Sequence, residues 1–164
     1  MSKEIILTQG KVAIVDDEDF EFLNKRKWHF DRYVKRTPMF SDGKPNTLYM
    51  HRLIMLPRTG EEIDHINNNK LDNRRKNLRV CTRSQNERSK PKISISCNSA
   101  YKGVTLDKRM PIGQRRWNAR IKPNKKAIHI GSYLTEKEAA LAYNKAALEH
   151  YGDFAYQNII KEEF

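Results

Sequence analysis

The sequence predicts an α+β chain built as two small modules. Residues 62–89 read as strand, long polar loop, strand and helix, and residues 101–152 read as three strands followed by one amphipathic helix. Between them PKISISCNS, residues 91–99, has the serine-rich polarity of a connector. A chain of 164 residues with 38% hydrophobic content can fill modest cores and not one large one. The expected boundaries are therefore 1–90, 91–99 and 100–159.

From the N-terminus, EIILTQGKVAIVDDEDFEFL gives a strand, a turn at Gln9-Gly10, a second strand at Val12–Val15 and a helix starting near Asp16 or Asp17. Acids at a helix start complement its dipole and cap its open amides, so Asp16, Asp17, Glu18 and Asp19 read as capping residues. Trp28–Val34 reads as one strand, and PMFSDGKPN as a loop broken by Pro38, Gly43 and Pro45. TLYMHRLIM is a strand passing into a short helix ended by Pro57 and Gly60, after which the next strand begins near Glu62.

The segment IDHINNNKLDNRRKNLRVCTRSQNERSK, residues 63–90, carries the chemistry. Ile63 closes a strand, Leu78–Cys81 returns as its partner, and Thr82 starts a helix with capping-box spacing to Gln85. Asp64 and His65 then stand at a strand end and Asn86 in the first turns of the helix. A carboxylate, an imidazole and a carboxamide on one such unit suit a hard, oxygen-seeking cation with a general base beside it. His51 reads as a packing or DNA-backbone residue, and His29, His129 and His150 belong to no comparable group.

In the second module, YKGVTLDKR, RRWNARIKP and KKAIHIGSY alternate as strands, with Trp117, Ala119 and Ile121 on one face and Asn118, Arg120 and Lys122 on the other. Arg116 and His129 lie near that polar face. TEKEAALAYNKAALEHYG is a helix with a Thr135–Glu138 capping box, a closing Gly152, and an inward stripe of Ala139, Ala140, Tyr143, Ala146, Ala147 and Tyr151.

The charge points to a polyanion. The net charge is +12, and residues 83–126 alone hold 13 Lys/Arg against 2 Asp/Glu. An excess so confined, interleaved with Tyr101 and Trp117, favours nucleic acid through phosphate contacts and counterion release. No apolar stretch approaches the roughly 18 residues of a membrane span, and MSKEIILTQG lacks the long apolar region of a signal peptide. Cys81 and Cys97 have no C-x-x-C spacing and read as thiols of a reducing compartment, with an intracellular location expected.

DHINNNKLDNRRKNLRVCTRSQNERS resembles the core of the HNH nucleases, particularly those of phage and homing-endonuclease type. The resemblance implies a ββα-metal nuclease module in which His65 is the general base, Asp64 and Asn86 hold a divalent metal, and Asn77 steadies the loop and imidazole. A carboxamide is a hard but weak ligand, so the implied ion is magnesium or manganese and not tightly held zinc. The implied substrate is double-stranded DNA, and a phage-encoded enzyme would work in the host cytoplasm. The oligomeric state stays open, a monomer being compatible with every feature.

Residues 100–159 resemble the plant ethylene-response-factor (Apetala-type) DNA-binding domain in YKGV, WNARI, IHIGSYLTEKEAALAYNKAA and YGDFAYQN. In that family a three-stranded antiparallel sheet packed on one helix lies in the major groove, and position by position its contacts fall on Lys102, Thr105, Arg109, Arg120, Lys122 and His129, with Arg116, near the same face, a further DNA-binding candidate. Several of these differ in type from the plant pattern, so no base sequence transfers. Two rivals remain: a DNA-binding regulator with a degenerate HNH core, and a small structural zinc protein using Cys81, Cys97 and histidines, which lacks ligand spacing.

Overall fold

The computed structural model describes residues 1–38, 43–92 and 98–160. Cys97 and the centre of the PMFSDGKPN loop lie outside them. The backbone divides into two compact units, Met1–Asn86 and Glu87–Phe164.

In the first unit, β1 (Ser2–Ile6) pairs antiparallel with β2 (Val12–Asp16), and α1 (Asp17–Asn24) follows at once. β1 and β2 turn Ile5, Ala13 and Val15 inward, while Ile6 stays exposed, the alternation of a half-buried ribbon. The acids after β2 act differently from expectation. Asp16 makes no side-chain cap; it accepts the amide of Arg75 at 2.7 Å, and Asp19 takes the Arg75 guanidinium through two bonds of 2.7 and 2.9 Å. Long-range ion pairs to the motif loop outcompete the local cap, while Asp17, Glu18 and Asp19 still stand in the first turn of α1.

The single strand expected over residues 28–34 is instead a hairpin, β3 (His29–Phe30) and β4 (Val34–Arg36), whose third strand is β5 (Leu48–Tyr49). Strands of two and three residues hold too few alternations to reveal the turn, which Lys35 closes on Asp31 at 2.8 Å. α2 (Met50–Met55) runs straight on from β5 and stops at Leu56, left-handed at φ 46°, just before Pro57. β6 (Glu62–His65) pairs antiparallel with β7 (Leu78–Cys81), placing Asp64 opposite Arg79 and His65 opposite Leu78. α3 (Arg83–Ser89) then begins on the expected capping box, Thr82 and Gln85 each accepting the other's amide. Ile5, Leu7, Val15, Leu23, Trp28, Val34, Met50, Ile54, Ile63 and Leu78 share one core, each large side chain worth about 1.5–3 kcal/mol of burial.

In the second unit β8 (Val104–Leu106), β9 (Trp117–Ile121) and β10 (Ile128–Tyr133) form an antiparallel sheet in the order β10-β9-β8. α4 (Glu136–Tyr151) starts on a Thr135–Glu138 capping box, ends at Gly152 (φ 53°), and buries Ala139, Ala140, Tyr143, Ala146 and Ala147, as expected. The small alanines let it lie close to Val104, Ala119 and Ile121. Position 103 requires glycine twice over: its backbone is left-handed at φ +77°, and a Cβ there would run into the Tyr143 ring.

Candidate active site

The two strands of the motif present different groups to different neighbours. β6 ends at His65, so Asp64 and His65 project to opposite faces. On the first face the buried Asp64 carboxylate accepts Nε and Nη2 of Arg79, its cross-strand partner, at 3.0 and 2.7 Å, both on Oδ2. Its Oδ1 is buried and has no hydrogen-bond partner among the described residues. Glu62, two residues earlier on the same face, accepts the side-chain amide of Asn86. That bond draws the helical carboxamide toward the strand face that carries Asp64.

On the other face His65 is 1% exposed and sits in an aromatic nest: its ring centroid is 5.3 Å from that of His51 and 6.1 Å from that of Tyr33. Tyr33 and Tyr49 in turn stand 5.0 and 5.7 Å from His51. His65 Nε2 lies 3.4 Å from Asn73 Oδ1, and its Nδ1, like that of His51, is buried and has no hydrogen-bond partner among the described residues. Burial pulls the His65 pKa down to about 4, with the positive charge of Lys70 adding to it while Asn73, Asp64 and Asp72 work the other way. Burial takes His51 lower still, to about 3. Both rings are therefore neutral at pH 7.

Asn77 closes the polar loop. Its Oδ1 accepts the Asn67 amide at 3.0 Å and its Nδ2 donates to the Asp72 carbonyl at 2.8 Å. Within the same loop Asp72, buried, receives the Arg74 guanidinium at 2.6 and 2.7 Å and the Asn67 side chain at 3.0 Å. The asparagine run is thus an ordered, internally bonded loop. Among the described residues no three His, Cys, Asp or Glu side chains gather as a metal cluster. Cys81 is buried and its thiol faces the Glu62 carbonyl.

A consequence for stability follows from the two depressed imidazoles. Unfolded, each takes a proton near pH 6.5; folded, only near 4 and 3, so the unfolded state binds more protons in between. Their contribution is present above about 6.5 and is lost as pH falls through that window, at up to about 1.4 kcal/mol per pH unit per histidine. Urea unfolding should show a lower midpoint at pH 5 than at pH 7, a decrease that His51→Phe reduces; equal midpoints would mean that these rings are not desolvated.

In the second unit the sheet's outer face exposes Thr105, Arg120, Lys122 and His129, with His129 opposite Arg120. Arg116 is half-buried at the start of β9, and the exposed Arg109 is paired through two bonds with Asp107. Lys102 is elsewhere: its ammonium donates to the carbonyls of Glu87, Arg88 and Lys90 at 3.2, 2.7 and 2.6 Å, where burial lowers its pKa to about 8. It serves the carbonyl end of a helix, a place where cations stabilise. Sequence reasoning missed Asn73, Arg79, Glu62 and Tyr33. Only the strand register would have pointed to Arg79.

Among the described residues no helix is long and apolar enough to cross a membrane. The family described as HNH endonuclease matches residues 48–88, the stretch from β5 to α3. A protein of Acanthamoeba polyphaga mimivirus, named as an uncharacterized HNH endonuclease, is 31% identical over 156 residues, covering 93% of this chain and 77% of that protein. No solved structure matches the chain. With the motif in place on its strand, loop, strand and helix, and a relative alike over nearly the whole length, the chain belongs to the HNH endonuclease family.

Proposed function

We propose that the protein is a metal-dependent endonuclease of the viral homing type that hydrolyses phosphodiester bonds in double-stranded DNA inside the host cell. One observation carries the reading: among the described residues, Asp64 Oδ1 and His65 Nδ1, on adjacent residues, are both buried without a hydrogen-bond partner. Buried polar atoms are rarely left so, and at a functional site the missing partner is a ligand. The oxygen fits a hard cation, with Asp64 and Asn86 as the residues that would hold magnesium or manganese. Such an ion, when bound, compensates charge at the scissile phosphate.

The chain's own groups have separate duties. His65 Nδ1 takes the proton of the attacking water as its oxygen bonds to phosphorus, and the bond to the 3′ oxygen breaks; no covalent enzyme intermediate is needed. Arg79 keeps the Asp64 carboxylate oriented and charge-compensated, and Asn77 holds the loop that follows the base. With supercoiled plasmid, magnesium or manganese should give nicked or linear product and excess EDTA should abolish it. Undiminished cutting in chelator would remove the metal from this reading, and binding without any cutting would favour a regulator with a degenerate core.

The second unit, on its likeness to ethylene-response-factor domains, is proposed to position the nuclease through Thr105, Arg109, Arg116, Arg120, Lys122 and His129. If Arg120 and Lys122 touch phosphates, Arg120→Ala and Lys122→Ala should each reduce the slope of log K against log salt by about 0.9. Unchanged slopes would take the sheet face out of DNA binding.

A further inference from the structure

We propose that Asn73 is a positioning residue that locks His65 as the Nε2–H tautomer and so presents Nδ1 as the lone pair; this rests on His65 being the base. Asn73 is fully buried in the motif loop, and its backbone amide is tied to the Ile14 carbonyl of β2 at 2.7 Å. Its side-chain nitrogen donates to the carbonyls of Leu71 and Lys70 at 3.2 and 3.4 Å. Turning the amide over would set its oxygen against two carbonyl oxygens, so the carbonyl end faces His65 Nε2 at 3.4 Å. A carboxamide oxygen only accepts. The neutral imidazole has one N–H, and facing an acceptor fixes it on Nε2.

What remains is the geometry a base needs. Among the described residues Nδ1 has no hydrogen-bond partner, and the ring cannot turn over without taking Nε2–H away from Asn73. β2 reaches this arrangement through a single bridge: Ile14 accepts from Asn73 and donates to the Leu71 carbonyl at 2.8 Å. The N-terminal ribbon therefore holds the residue that holds the base.

The test is long-range proton–nitrogen NMR of the full-length protein, with the His65→Gln spectrum showing which of the five imidazoles is His65. Wild type should give one pure Nε2–H pattern for His65 at pH 7. Asn73→Leu, which keeps the volume and removes the acceptor, should give a mixture with Nδ1–H and lower kcat at least about tenfold with KM little changed. A wild-type spectrum showing Nδ1–H or a mixture would overturn the proposal without any variant having to fold. So would an Asn73→Leu protein that keeps the pure pattern. A shifted tautomer with unchanged kcat would uphold the hold on the ring and remove His65 from the chemistry instead.

Discussion

His65→Ala should leave DNA binding near wild type and slow single-turnover cleavage of the saturated complex at least about a hundredfold. The imidazole belongs to the residue that follows the candidate metal carboxylate in the strand, and losing a general base typically lowers rate by roughly 10²–10⁴, or about 3–5 kcal/mol of barrier. The ring is also packed in the nest with His51 and Tyr33, so the variant will be less stable. Single-turnover measurement on saturated complex separates the two effects, because only folded, bound enzyme contributes. If the rate of the complex stays near wild type while stability or affinity falls, His65 is structural. With its pKa held near 4, the acid limb that His65 contributes to cleavage lies well below pH 6.5.

Gly103→Ala should cost the second unit roughly 2–5 kcal/mol, from two sources. The left-handed backbone at φ +77° disfavours any side chain by about 1–2 kcal/mol, and the new methyl would meet Tyr143 at 2.0 Å and the Arg120 carbonyl at 2.8 Å, overpacking worth about 1–3 kcal/mol. Neither neighbour can withdraw: Tyr143 is fixed between Ile121, Ala146 and Ala147, and Arg120 is in the sheet ladder. Gly113, also left-handed but with nothing within 4 Å, isolates the backbone share. Thermal unfolding should place Gly103→Ala far below Gly113→Ala, by roughly 4–8 °C for each extra kcal/mol. Equal losses would show that the close approach to Tyr143 is absent.

Legibility followed the range of the interaction. The helices α3 and α4 were readable because their capping boxes are local, three residues apart, and the alternation of Trp117, Ala119 and Ile121 spans enough residues to declare a face. The β3–β4 hairpin was not readable, since its strands are shorter than one period of evidence and its partner β5 lies across a loop. The acids of α1 looked like caps because the sequence shows their neighbours and hides Arg75, 56 residues away. At the candidate site, spacing and resemblance singled out Asp64, His65, Asn77 and Asn86. Asn73 carried no signal in a loop crowded with asparagines; its identity as the partner of His65 exists only once the loop closes on β2.

The single core that runs from Ile5 to Leu78 makes the folding body larger than the stretch that the family description matches. The family description matches from residue 48, yet Val34, Trp28, Leu23 and Val15 contribute to the same core as Ile63 and Leu78, and Tyr33 packs on the histidines inside the matched stretch. Cut out alone, residues 48–88 would carry every motif letter but only Met50, Ile54, Ile63 and Leu78 of the buried core, too little to stand as an independent body. Residues 1–47 are therefore part of the body that presents the motif and not an appendage to it, and a fragment that begins at residue 48 should expose Met50, Ile54, Ile63 and Leu78 to water.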